Sequence, residues 1–153
     1  MASEEQSIKD SVQQLLDEAR TVLPGIQALF GFQMIAVFNE GFSKRLDAGE
    51  QTLHLLAILL VIVATGLIMT PAAYHRQTIP RAVDESFLRL SSRLVTTSLA
   101  ALGLGLVVDV FVVSRLTALS VGISAVLAAG VFGMLASLWF IYPQWAKAKT
   151  KNS

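Results

Sequence analysis

The sequence predicts an all-α membrane protein: a four-helix transmembrane bundle with an N-terminal amphipathic helix and a cytoplasmic extension of the third span. Three observations carry this reading. The chain of 153 residues is 54% hydrophobic and only 15% charged, where a soluble domain carries about a quarter charged residues. Its apolar residues stand in long blocks rather than dispersed. Three of those blocks reach the roughly 20 residues needed to cross a hydrocarbon core about 30 Å thick at the helical rise of about 1.5 Å per residue. One integral membrane domain, 1–153, covers the chain, with no linker, low-complexity tract or internal repeat.

The elements follow in order. In SIKDSVQQLLDEARTVL, Ile8, Val12, Leu15, Leu16, Ala19 and Val22 recur at helical spacing, which predicts an amphipathic helix over about 7–22. Ser7 with Asp10 three residues on supplies its cap. The acidic lead (Glu4, Glu5, Asp10, Asp17, Glu18) does not read as a cleaved leader, which would be basic. Pro24 has no N–H to offer the carbonyl of Arg20, so a bend is expected where this helix meets the first span. That span, about 23–42, is the shortest and contains Gln27 and Gln33; the alternative lays it in the membrane surface or makes it re-entrant.

The second span, about 53–73, is interrupted by His54, Thr65 and Thr70, and Pro71 is expected to help end it. Pro80 suits the first position of a new helix, from which Val83, Phe87, Leu90 and Leu94 continue into a third span over 94–113. Starting at 80, this helix would protrude by roughly 20 Å. Glu85 and Arg89 stand four apart with the acid first, the better order for a pair. Asp17 or Glu18 could meet Arg89 or Arg93 across that surface. The fourth span, about 116–142, follows a connection of only Ser114–Leu116, so spans three and four form an antiparallel hairpin.

Of the 12 Lys and Arg residues, Lys9, Arg20, Arg76, Arg81, Arg89, Arg93, Lys147, Lys149 and Lys151 share one side of a four-span arrangement. Only Lys44, Arg45 and Arg115 lie on the other. That imbalance makes both termini cytoplasmic and puts Trp139, Tyr142 and Trp145 at the inner interface, where amphipathic rings are favoured.

Lipid is as apolar as leucine, so spans associate through close packing and shared polar groups. Thr97, Ala101, Gly105 and Asp109 on span three, and Ala125, Ala129, Gly133 and Ser137 on span four, are stripes at four-residue spacing. Both are expected in helix–helix contacts rather than along a substrate path. Asp109 ends the first stripe, about 7 Å below the outer end of its span. A carboxylate at that depth costs a few kcal/mol unless paired or hydrated. The candidate partners are Arg115, His54, Lys44, Arg45, Gln33 and Asn39. The reading is a structural pair pinning the outer end of the bundle; the sharper alternative is a proton or cation site built on Asp109, Arg115 and His54.

Other chemistry is sparse. With no cysteine in the chain, disulfides, thiol catalysis, zinc–thiolate sites and iron–sulfur clusters drop out. A net charge of +1 gives no large basic surface for nucleic acid. His54 and His75 stand about 30 Å apart on one helix, too far to share a haem or metal. No nucleophile–base–acid set is present, so no enzyme, catalytic residue, metal or cofactor is expected.

The segments LLDEARTVLPGIQALFGFQ and TPAAYHR resemble those of a bacterial family of small integral membrane proteins known only as a domain of unknown function. The matching residues are Glu18, Arg20, Pro24, Gly25, Gln27, Leu29, Phe30 and Phe32, then Pro71, Ala73, Tyr74, His75 and Arg76. The resemblance covers roughly residues 15–142, and it implies a four-span helical fold and no activity. This chain has Asp-Glu-Ala-Arg where the family often has Glu-Leu-Arg. Both elements fall on the expected cytoplasmic side, where Glu18, Arg20, Tyr74, His75 and Arg76 would form a polar cluster, a latch or docking surface.

The functional expectation is a non-catalytic accessory or scaffold subunit of the bacterial cytoplasmic membrane. Its partners would be the lipid bilayer and a larger membrane-protein complex or further copies of itself. The alternative is a small oligomeric ion channel or transporter using Asp109. A weaker one is lipid binding by the basic inner face.

Overall fold

A computed structural model describes the backbone of residues 2–77 and 85–151, with side chains for 10–14, 16–74, 76–77 and 86–149. The described chain is all helix: α1 (Ala2–Val37), α2 (Glu40–Arg45), α3 (Ala48–Gln77), α4 (Glu85–Leu116), α5 (Val121–Ala136), a π-helical turn (Ser137–Ile141) and α6 (Tyr142–Lys151). Among the described residues three stretches are long and apolar enough to cross a membrane: Ala48–Tyr74, Ser86–Leu116 and Val121–Lys149. Expectations resting on Pro80, Arg81 and Val83, and on the side chains of Ser7, Lys9, His75, Glu85 and Lys151, lie outside the described residues.

Two boundaries differ from the sequence expectation because proline does less than anticipated. Pro24 lies inside α1, so the amphipathic segment and the start of the apolar one are a single helix. The ring's fixed φ is already helical, and α1 runs on past the bond that the Arg20 carbonyl loses. Pro71 likewise lies inside α3, which runs on to Gln77.

The other boundaries are set by caps. After α1 the amides of Phe38 and Asn39 reach back to the carbonyls of Ile35 and Ala36, both at 3.1 Å. Asn39 then caps α2, its side-chain oxygen accepting from the Gly41 amide at 2.8 Å. The first apolar segment therefore stops short of Phe42, which is buried on α2. The start of α3 is a capping box. Glu50 N–H donates to Asp47 Oδ1 at 2.8 Å, and Asp47 N–H donates to Glu50 Oε2 at 3.1 Å, so two amides that the helix leaves free are satisfied reciprocally.

Between α4 and α5 the expected connection at 114–116 moves outward. α4 continues to Leu116 and closes with a Schellman motif: Leu119 N–H donates to the Ser114 carbonyl at 3.3 Å and Ala118 N–H to the Arg115 carbonyl at 2.9 Å. Ala118 takes the left-handed position at φ 66°, usually given to glycine. Ser120 caps α5 by accepting from the Ile123 amide at 3.4 Å. The turn is thus 117–120, and Arg115 belongs to the last turn of α4. Farther on, the Tyr142 amide bonds to the Ser137 carbonyl five residues back. This wide turn sits just before Pro143, whose ring would press on the Trp139 carbonyl in a regular helix.

The chain forms two compact units, Met1–Phe32 with Val61–Ala101, and Gln33–Leu60 with Leu102–Ser153. In the first, α1 buries Val12, Ala19 and Ile26 at seven-residue spacing. α3 contributes Val61, Ala64, Ile68 and Pro71, and α4 contributes Phe87, Ser91 and Ser98. The second unit has a cluster of Phe42, Leu46 and Val112, with Val108, Phe111 and Leu116 packed against it. In the same unit a Cβ on Gly103 would lie 3.3 Å from the Trp139 ring and 3.8 Å from Leu135, so the absence of a side chain lets that ring seat on α4.

The small-residue stripes mark the inward faces only in part. On α4, Thr97 is exposed while Gly105 and Asp109 are buried. A four-residue step turns about 400°, so such a stripe drifts about 40° per step around the helix. The buried α4 line is instead Phe87, Ser91, Ser98, Leu102, Gly105, Asp109 and Val112, stepping by threes, fours and sevens. On α5, Ala125, Ala129 and Gly133 are all exposed, as is Ser137, and the buried residues are Ser124 and Ala128.

Candidate functional site

Three polar side chains meet inside the second unit. Gln33 comes from the last turns of α1, His54 from the second turn of α3 and Asp109 from α4. Each is buried, at 3%, 2% and 9% exposure. Gln33 continues the seven-residue line of Val12, Ala19 and Ile26, so the face that carries apolar residues in the first unit carries an amide here. Asp109 lies on the inward line of α4, and His54 on that of α3 between Glu50 and Ala57.

The contacts are specific. Gln33 Nε2 donates to Asp109 Oδ2 at 2.7 Å. His54 Nε2 lies 2.9 Å from the backbone carbonyl oxygen of Gln33. On the other side of the imidazole, Nδ1 is 3.6 Å from Asp109 Oδ1. The Phe42 ring meets His54 edge to face at 5.2 Å between centroids, closing the site with an apolar wall. Gln33 Oε1, His54 Nδ1 and Asp109 Oδ1 are buried without a hydrogen bond among the described residues.

The remaining candidates for Asp109 are engaged elsewhere. Arg115 Nε donates to Glu50 Oε1 and its Nη1 to the Leu119 carbonyl. This ion pair is part-buried, with the side chains 22% and 8% exposed. Lys44 pairs with Glu40 at 2.9 Å, Arg45 Nη1 donates to the Leu116 carbonyl at 2.9 Å, and Asn39 is the α2 cap. The trio expected as Asp109, Arg115 and His54 is thus two separate sets: Asp109 with His54 and Gln33, and Arg115 with Glu50. Glu50 was not singled out in the sequence. The signal that could have found it is Asp47-Ala48-Gly49-Glu50, a capping box ahead of an apolar run.

The cluster expected of Glu18, Arg20, Tyr74, His75 and Arg76 assembles in part, within the first unit. Arg20 and Arg76 line a common cleft of about 300 Å³ with Leu16, Leu23 and Met69. Glu18 instead accepts from Gln14 at 3.2 Å, Arg20 lies 3.5 Å from Asp17, and Tyr74 stacks on Phe87 at 5.4 Å. Asp17 also accepts from Gln13, so both acids expected to reach toward α4 are bonded along their own helix. The His75 side chain lies outside the described residues. Among the described residues no three His, Asp or Glu side chains converge as metal ligands.

A family of unknown function (DUF6328) matches residues 2–143. The chain belongs to that family. No curated protein and no solved structure matches it. The DUF6328 match takes in α1 from its first described residue, beyond the segment that carried the resemblance. It also spans Gln33, His54 and Asp109, so the buried trio belongs to the family's portion of the chain.

Proposed function

We propose that this protein is a four-span component of a bacterial cytoplasmic membrane, non-catalytic, serving as an accessory or scaffold subunit of a larger membrane assembly. The observation that carries the reading is the outward stripe along α5 and into the π-helical turn that follows it. Ala125, Ala129, Gly133 and Ser137 are exposed, and a Cβ on Gly133 would meet nothing within 4 Å. Small residues allow close backbone approach between helices in lipid, and on α5 they offer it to another chain. Large apolar side chains flank them, with Val126, Phe132 and Leu138 more than half exposed.

The fourth crossing would be the apolar part of α1, residues 22–37 with Phe38. Its 17 residues, about 25 Å of helix, stand at the short end of the range for a span. The excess of Lys and Arg on the segments before it, after α3 and after α5 supports cytoplasmic termini.

A second reading, a small oligomeric channel or transporter using Asp109, draws on the burial of that carboxylate beside His54 and Gln33. Purification from native membranes in gentle detergent separates the two. The accessory reading expects co-purification with a defined larger assembly, lost on Gly133→Leu while the chain stays folded. A self-contained oligomer whose ion conductance in liposomes stops on Asp109→Asn would replace it with the second reading.

A further inference from the structure

We infer that Gln33, His54 and Asp109 form a binding site for one proton, held between His54 Nδ1 and Asp109 Oδ1. The argument rests on what faces the imidazole. Its Nε2 lies 2.9 Å from the Gln33 backbone carbonyl, and a carbonyl oxygen only accepts. Its Nδ1 lies 3.6 Å from Asp109 Oδ1, and a carboxylate oxygen also only accepts. A neutral imidazole carries one N–H. Whichever nitrogen holds it, the other aims a lone pair at a lone pair.

Neither neighbour can turn to help. The carbonyl is fixed in the ladder of α1. The carboxylate is oriented by Gln33 Nε2, which donates to its other oxygen at 2.7 Å. Both Nδ1 and Oδ1 are buried with no other partner among the described residues. Adding one proton from water gives the ring two N–H groups, one for each acceptor. The set then changes from a net charge of −1, a carboxylate beside neutral groups, to zero.

The surroundings make this a one-proton site. From α1, His54 faces the uncharged Gln33; from α2, the Phe42 ring; from α4, Asp109. On its own helix the nearest titratable group is Glu50, one turn earlier, and that carboxylate is committed to Arg115 and the Asp47 amide. Proton occupancy therefore decides whether His54 bonds to the Gln33 carbonyl of α1 and to Asp109 of α4 at once, or to only one of them. This makes the helix contact dependent on pH, a property outside the accessory role and independent of it.

The test is nuclear magnetic resonance of the full chain in detergent micelles, with ¹⁵N-histidine and ¹³C-aspartate. The chain has two histidines, so His75→Gln leaves one signal. Across a pH series over which the chain stays folded, the His54 ring should pass from one N–H to two in a single step. The Asp109 carboxyl carbon should shift with the same midpoint. Asp109→Asn should weaken proton binding at least tenfold. A ring that holds one N–H throughout, or a step unchanged by Asp109→Asn, overturns the inference. If Asp109→Asn does not fold, the shared midpoint of ring and carboxyl in the parent decides it: separate midpoints overturn the site.

Discussion

At the scale of single residues, the acid that matters most to the fold is not the one that stands out in the sequence. Asp109 is conspicuous because it interrupts GLGLVVDVFVV, and its depth demands a partner. Composition says that much, and Gln33 and His54 stood among its candidates. It does not say which candidate wins, because that depends on helix phase. Arg115 is six residues on, more than one and a half turns, which carries its side chain to Glu50 instead. Glu50 stands just ahead of the apolar run in the sequence, yet it closes the α3 capping box with one oxygen and holds Arg115 with the other. Glu50→Ala should therefore cost about 2–4 kcal/mol, the sum of the capping-box bond to the Asp47 amide and a stranded arginine. Unfolding in mixed detergent micelles checks this, and adding Arg115→Ala should cost less than it does in the parent.

At the scale of elements, the existence of the long helices was legible and their ends were not. Hydropathy locates apolar runs, whereas caps and lone hydrogen bonds decide where helices stop. Asn39 ends a run that hydropathy carries on to Phe42, and Pro71 fails to end one that it punctuates. The stripes of small residues were read at a period of four, but inward lines follow steps of three and four. That drift leaves Thr97 exposed at one end of the α4 stripe and Asp109 buried at the other, whereas α5 buries only Ser124 and Ala128 and so exposes its small residues along with most of the helix. The Schellman motif after α4 yields a direct expectation. Ala118 holds φ 66°, a conformation costing about 1 kcal/mol for a residue with a Cβ. Ala118→Gly should raise stability by about 0.5–1 kcal/mol, read as a later midpoint in the same unfolding titration. Ala118→Val should lower it.

At the scale of the whole molecule, three helices among the described residues have the length and composition to cross a membrane. The fourth crossing is what makes the proposed topology even-numbered. Tags at the two termini should become accessible from the same face of sealed vesicles; three crossings would put them on opposite faces, and that result would retire the four-span arrangement. The start of α3 bears on how such a protein meets bilayers of different thickness. Its first turn is knotted by Asp47 and Glu50, and Glu50 in turn grips the last turn of α4 through Arg115. Neither helix margin can unravel there to shorten itself. In lipids with shorter acyl chains the mismatch is then met by tilting or kinking of the rods or by local thickening of the bilayer, so order measurements should report no fraying at residues 47–50.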